Sequence, residues 1–394
     1  MSQIQYLLSS EIPNSWKYAG RKWGSPLHRI MSRSGSFPPS LARWAVETYS
    51  EKGQTVLDPF CGKGTLPLEA CISERFGVGN DLAPEAYVVS RAKVNPAARR
   101  EVREWVLRAS KEMRPDTVSI YDVDDDVRTF FSPSTLRQIL AIREILSEQD
   151  DDLTNFIKAI MLGILHGSSE VSLSLPCSHS FSMAPQYIKR YAKRHGLRRP
   201  NRNVLSCILR KAEIVLAGGL PPKRGMAFNL DARSLPIADE SVDLIVTSPP
   251  YFNLQTYAWD NWLRLWFLGY RHEEVRRRLF ESSSVPRYIE FIGDALREMY
   301  RVLKNDRACL LVLGDVMLGK RRVNMAELAA EQAGKVGFET AYVISDNIPK
   351  ESKHLMYLGR EQGVDKEKVL ILNKGRPKMR RAVLPWVAML GHDT

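Results

Sequence analysis

The chain has 394 residues, 44% hydrophobic and 26% charged, which is material for one large globular domain or for a domain carrying a substantial insertion. Lysine and arginine number 57 against 45 acidic residues, a formal net charge of +12 that suits a polyanionic partner. Five scattered cysteines without C-x-x-C pairing read as reduced thiols with no metal site. No segment has the make-up of a signal peptide or the ~18–20 apolar residues of a membrane span, which argues against secretion and membrane insertion and for the cytoplasm.

Gln54 to Asp58 (QTVLD) has the pattern of a short buried strand ending in a glycine turn, and Thr65 to Glu74 then runs at helical period. Phe76 to Asp81 predicts a second strand, and Pro84 opens a helix to about Val94. The pattern changes after Asn95-Pro96. As far as about Pro222 it is mostly helical, including Ser134 to Gln149 and Leu153 to Leu165, with basic clusters between Lys189 and Arg202. Alternation resumes with strands at Met226 to Leu230 and Val242 to Thr247, a helix at Tyr288 to Leu303 and a strand at Ala308 to Leu313. A helix at Asn324 to Val336 and strands at Thr340 to Ser345 and Val369 to Leu372 complete it, and a basic tail, KGRPKMRR, follows. This order predicts an α/β fold: a doubly wound, mainly parallel, Rossmann-like sheet with a large helical insertion. The expected units are 1–94, the insertion 95–222, and 223–394. Ligands of such sheets sit at the carboxyl ends of the strands.

VLDPFCGKGT sets Asp58 at a strand end, with Gly62 and Gly64 in a tight turn before a helix that begins near Thr65. Glycines suit a turn where backbone approaches a ligand closely or takes positive φ, although an ordinary strand-to-helix loop uses them too. Asp81 ends the next strand, where a carboxylate can accept hydrogen bonds from a ribose diol or cap a helix. There is no G-x-G-x-x-G and no Walker lysine-serine pair, which disfavours a dinucleotide or a triphosphate.

VDLIVTSPPYFN, residues 242–253, runs an apolar strand straight into Ser248-Pro249-Pro250-Tyr251. Two consecutive prolines remove two amide donors and stiffen the loop, leaving its carbonyls free to accept hydrogen bonds. Such acceptors suit one chemical problem. The amino nitrogen of cytosine or adenine is a poor nucleophile because its lone pair is delocalised into the ring. The Ser248 hydroxyl and the Pro249 carbonyl, set against its N–H bonds, draw the nitrogen toward sp³ character, while Tyr251 stacks on the base. The plain alternative is a rigid strand-ending turn.

These segments together resemble the amino-methylating DNA methyltransferases that use S-adenosylmethionine. DPFCGKGT resembles their D-P-F-x-G-x-G-T motif, Gly79-Asn80-Asp81-Leu82 their second motif, and Ser36-Phe37-Pro38-Pro39 the F-x-P segment ahead of the glycine turn. SPPY matches one form of their catalytic signature, and the resemblance covers residues 28–94 and 226–315 in outline. It implies a methyltransferase sheet in which Asp58, Gly62 and Gly64 hold the methionine part of the cofactor, with Phe37, Pro38, Phe60 and Thr65 also among the cofactor-binding residues. Asp81 then takes its ribose and Asp231 lies beside its adenine, with Leu82 and Ala232 as further cofactor-binding residues. Ser248, Pro249, Pro250 and Tyr251 are the implied catalytic loop, and its serine form is associated with N4 of cytosine. The implied partner is double-stranded DNA with a flipped target base, in a restriction-modification or epigenetic setting with a cognate endonuclease. N6-adenine methylation, RNA N-methylation and a non-catalytic nucleic-acid-binding protein are the alternatives. Methylation at C5 of cytosine needs a cysteine nucleophile. Pro176-Cys177 lies in the inserted region rather than at a strand end, so a buried structural thiol is expected there.

Two segments are candidates for target recognition. QYIKRYAKRHGLRRPNRN, in the insertion, interleaves basic and aromatic residues, and Arg271 to Pro286 follows the catalytic half. In Tyr257 to Trp262 some aromatics can stack on bases, whereas Trp262, Leu265 and Trp266 are expected to form one apolar helical face.

Overall fold

The computed structural model describes residues 5–7, 23–32, 37–177, 184–252, 257–318, 321–347 and 366–375. Ser36 and all but the first two residues of the basic tail lie outside them. Eight strands form one sheet: β1 (Gln5–Leu7), β2 (Thr55–Asp58), β3 (Phe76–Asn80), β4 (Met226–Phe228), β5 (Val242–Thr247), β6 (Leu303–Gly314), β9 (Thr340–Asn347) and β10 (Lys366–Lys374). A separate antiparallel pair, β7 (Val316–Leu318) and β8 (Arg321–Val323), follows β6.

The sheet order is β1-β9-β10-β6-β5-β2-β3-β4. Every pairing is parallel except those of β10, which runs antiparallel between β6 and β9. Building from β2, the chain adds β3 and β4 on one side and then crosses to add β5 and β6 on the other. Helices on both sides cannot close over that reversal, so a crevice opens at the carboxyl ends of β2 and β5.

Both faces of the sheet are apolar, as the near-continuous hydrophobic strands require. Leu244, Val246, Leu310, Val312 and Ile371 point to one face with Leu41, Ala45 and Val46 of α1 (Pro39–Tyr49) and Leu66 and Ala70 of α2 (Thr65–Ile72). The alternate residues Ile245, Cys309, Leu311, Leu370 and Leu372 point to the other face. They meet Phe291, Leu296 and Met299, which belong to an 18-residue amphipathic helix, Val285–Val302.

Between β3 and β4 the chain is helical: α3 (Pro84–Val94), α4 (Arg99–Glu112), α5 (Asp125–Phe130), α6 (Pro133–Ser147), α7 (Asp152–Ile164), α8 (Pro185–His195) and α9 (Val204–Val215). These helices do not keep a core to themselves. One cluster runs from Val88 and Val89 of α3 through Phe156 and Ile160 of α7 to Ile208 of α9, and it takes in Leu68 of α2 and Trp262. After β5 come α10 (Tyr257–Asp260), α11 (Trp262–Leu268), α12 (His272–Arg278), α13 (Val285–Val302) and α14 (Met325–Val336). Trp262 and Leu265 are buried as their spacing predicts, and Trp266 lies under the Arg143 guanidinium at 5.5 Å. Cys177 is buried at 2% exposure within the helical cluster, as a structural thiol should be. No described helix is long and apolar enough to cross a membrane.

Candidate active site

Four loops meet at the crevice, one from the carboxyl end of each of β2, β3, β4 and β5. Pro59, Phe60 and Gly62 follow β2, Asp81 and Leu82 follow β3, Leu230 to Arg233 follow β4, and Ser248 and Pro250 follow β5. Arg278, Leu279, Phe280 and Phe291 close the remaining wall of a cleft of about 770 Å³, its open mouth included.

The glycine turn after β2 has the geometry its sequence suggests. Gly62 and Gly64 take φ of 50° and 68°, and a Cβ on Gly64 would stand 2.8 Å from the Ser90 Cα. The turn presents its Gly62 amide to Asp81 Oδ2 at 2.8 Å, and the Ala83 amide donates to Oδ1 at 2.9 Å. Two amides therefore aim this carboxylate along the cleft, with lone pairs left over for a ligand.

Asn80, fully buried, ties the loops together. Its amide donates to the Pro59 carbonyl at 3.1 Å and the Leu230 carbonyl at 2.9 Å, and its Oδ1 accepts from the Leu230 amide at 3.1 Å. It stands within the Gly79–Leu82 motif, yet nothing local marks it as the staple, because its partners are 21 and 150 residues away.

Asp58 lines no part of the cleft. It is 1% exposed and accepts from the Thr247 hydroxyl at 2.6 Å and the Phe60 amide at 3.2 Å, which joins β2 to the residue preceding Ser248. Burial pushes its carboxyl up to about 7, against the opposing pull of the Thr247 hydroxyl and the Phe60 amide. Phe37 is packed in the core with α1, Pro38 caps that helix at the surface, and Thr65 and Gly64 are buried at the start of α2. The structure thus gathers Phe60, Gly62, Asp81, Leu82, Asp231, Ala232, Ser248 and Pro250 at one cleft, while Phe37, Pro38, Asp58, Gly64, Thr65, Pro249 and Tyr251 are not in its lining.

Asp231 is gripped by Arg233, whose Nε and Nη2 reach its two oxygens at 3.0 and 2.7 Å and hold its carboxyl below the usual range. The same guanidinium lies 5.6 Å above the Phe291 ring, and Phe291 stacks on Phe280 at 4.0 Å and 11°. Arg278, Phe280 and Phe291 were not legible as site residues in sequence. The Arg271–Pro286 stretch reads as a recognition segment, and only the tertiary fold brings its end against the cofactor side.

On the catalytic edge the Ser248 hydroxyl oxygen is buried and makes no well-formed hydrogen bond among the described residues, although it is near enough to the Tyr251 phenol to temper that group's titration. Pro249 is buried beside it. Tyr251 donates to Glu367 Oε1 at 3.2 Å, and burial followed by the Glu367 charge pushes its phenol well above the ordinary range. Glu367 sits at the start of β10, which runs antiparallel and so delivers its first residues to the carboxyl edge of the sheet.

The cleft therefore joins an apolar, aromatic half to an aimed carboxylate and a buried serine hydroxyl. A profile of the DNA methylase family of N6 and N4 type matches residues 9–91 and 242–387, more than half of the chain, and the chain belongs to that family. The Type II methyltransferase M.SfiI of Streptomyces fimbriatus is 32% identical over 85 residues, covering 22% of this chain and 16% of its own. The Type II methyltransferase M.MvaI of Kocuria varians is 23% identical over 248 residues, covering 58% of this chain and 54% of its own. The chain thus spans at most about half the length of these curated relatives. Among solved structures, TrmN from Thermus thermophilus aligns at a TM-score of 0.35 and 14% identity, over 88% of this chain and 52% of its own.

The family's cofactor is S-adenosylmethionine, and the residues present fit it. Asp81 suits a ribose diol, the Leu82, Leu230, Phe280 and Phe291 side suits an adenine ring, and Gly62 of the glycine turn lines the same cleft.

Proposed function

We propose that the protein methylates N4 of cytosine in double-stranded DNA, with Ser248, Pro249, Pro250 and Tyr251 as the catalytic loop. The observation that carries this reading is the Ser248 hydroxyl, buried at the cleft wall beside the Tyr251 phenol and without a well-formed hydrogen bond among the described residues. A buried, unsatisfied hydroxyl is costly, and an incoming amino group would satisfy it.

The target amino group donates one N–H to Ser248 Oγ and the other to the Pro249 carbonyl, which holds the nitrogen lone pair out of conjugation. S-adenosylmethionine supplies an electrophilic methyl on a sulfonium centre. Tyr251, fixed at its phenol by Glu367, stacks on the ring, and Pro250 holds the loop rigid. A base inside a duplex cannot reach such a pocket, so the nucleotide is flipped out. The helical region 95–222 serves recognition between the two halves, 1–94 and 223–394, of the catalytic unit. As both curated relatives are named Type II methyltransferases, we read the setting as restriction-modification beside a cognate endonuclease. An enzyme with this substrate works in the cytoplasm, at the nucleoid.

The test is transfer of labelled methyl to duplex DNA or to RNA, followed by digestion to nucleosides. Label in N4-methylcytosine from duplex DNA is expected. Label in N6-methyladenine, or in RNA alone, would overturn the assignment.

A further inference from the structure

Helix α8 carries a surface that the methyl-transfer site does not use. Tyr187, Tyr191 and His195 recur every four residues and form a ladder of rings. The tyrosines stack at 5.8 Å and 16°, and the His195 ring lies 4.4 Å from that of Tyr191. Arg190 and Arg194 run in the adjacent row, with Lys193 beyond them, and all three are exposed without an acidic partner among the described residues. Lys189 differs, since it is paired with Asp126 at 3.1 Å and so ties α8 to α5.

The other side of α8 is anchored. Ile188 is fully buried in the cluster that contains Phe130 of α5 and Trp262, and the Phe130 and Trp262 rings meet at 5.7 Å. Trp262 opens α11, in the segment that follows the catalytic loop, so continuous packing links α8 to that loop's own continuation.

Exposed cations that lack carboxylate partners keep their full charge for an external anion, and the +12 balance of the chain adds to the same attraction. The stacked rings of Tyr187, Tyr191 and His195 lie alongside the cations on the same helix. We propose that this face of α8 is a docking surface for the phosphate backbone of duplex DNA flanking the target base. This rests on the reading of DNA as substrate, and it adds where the duplex lies.

The experiment compares wild type with the triple variant Arg190→Ala, Lys193→Ala, Arg194→Ala. Binding to a long duplex is measured over a range of salt, alongside methyl transfer to the same duplex. Loss of three phosphate contacts should flatten the log–log salt dependence of binding by about 2–3. It should raise Kd and the KM for DNA at least ~10-fold at low salt, leaving kcat and the KM for S-adenosylmethionine unchanged. An unchanged salt slope and Kd would overturn the proposal. Because binding is read directly, a wild type that binds duplex DNA without methylating cytosine would sink the functional assignment while still testing this surface. Tyr187→Phe with Tyr191→Phe, which keeps the rings, should weaken binding less than Tyr187→Ala with Tyr191→Ala; equal losses would contradict a role for the ladder.

Discussion

Tyr251 and Glu367 form a side-chain contact that holds the catalytic loop to the antiparallel strand, and each end is separately removable. Tyr251→Phe keeps the ring and deletes one hydrogen bond worth about 1 kcal/mol, so methyl transfer should fall only ~3–10-fold. Tyr251→Ala also removes the stacking surface and should fall at least ~100-fold, with cofactor affinity retained in both. Single-turnover rates and calorimetric titration check this; equal losses for the two variants would mean that the ring does not touch the base. The carboxylate end was invisible in sequence, since Glu367 lies 116 residues from Tyr251 and no motif surrounds it. By contrast Asp81 and Ser248 were legible, because a short strand followed by a glycine turn or a double proline fixes where the next side chain must stand.

At the scale of elements, the turn between β2 and α2 depends on Gly64. Alanine there would hold a left-handed conformation at φ 68° and press on Ser90, whose backbone belongs to α3. The conformational cost alone is roughly 1–2 kcal/mol, and the contact adds to it, so Gly64→Ala should lower stability by at least ~2 kcal/mol in urea unfolding. A change below ~0.5 kcal/mol would show that the turn tolerates another geometry. The strands around the cleft were readable because their apolar runs are bounded by turn residues. Of the three-residue strands, β4 is legible in the pattern of Met226 to Leu230, whereas β1, β7 and β8 carry too little pattern to stand out. The change of period marks a helical stretch in the sequence, but not its shared core. Leu68 and Trp262 join it only through packing between distant segments.

For the molecule as a whole, the buried titratable groups set an acid limit. Burial drives His28 and His166 down from 6.5 to about 4, so between those values the unfolded chain binds protons that the folded chain refuses. Stability is then lost as pH falls from 6.5 toward 4. Asp58 opposes this: raised from 3.8 to about 7, it takes up a proton in the folded state that the unfolded chain refuses until much lower pH. Two histidines outweigh one carboxyl, so unfolding free energy should drop between pH 7 and 4.5, and Asp58→Asn should steepen the drop. A shallower slope in the variant would contradict this balance. The same fold that bears these costs opens the crevice at the carboxyl ends of β2 and β5 and brings the cofactor loops and the SPPY loop to its rim.

The most direct measurement of the central claim is mass spectrometry of nucleosides from duplex DNA incubated with S-adenosylmethionine and either wild-type protein or Ser248→Ala. Wild type should produce N4-methylcytosine, and the variant, still binding cofactor, should produce at least ~100-fold less. N6-methyladenine as the product, or undiminished N4-methylcytosine from Ser248→Ala, would contradict the account.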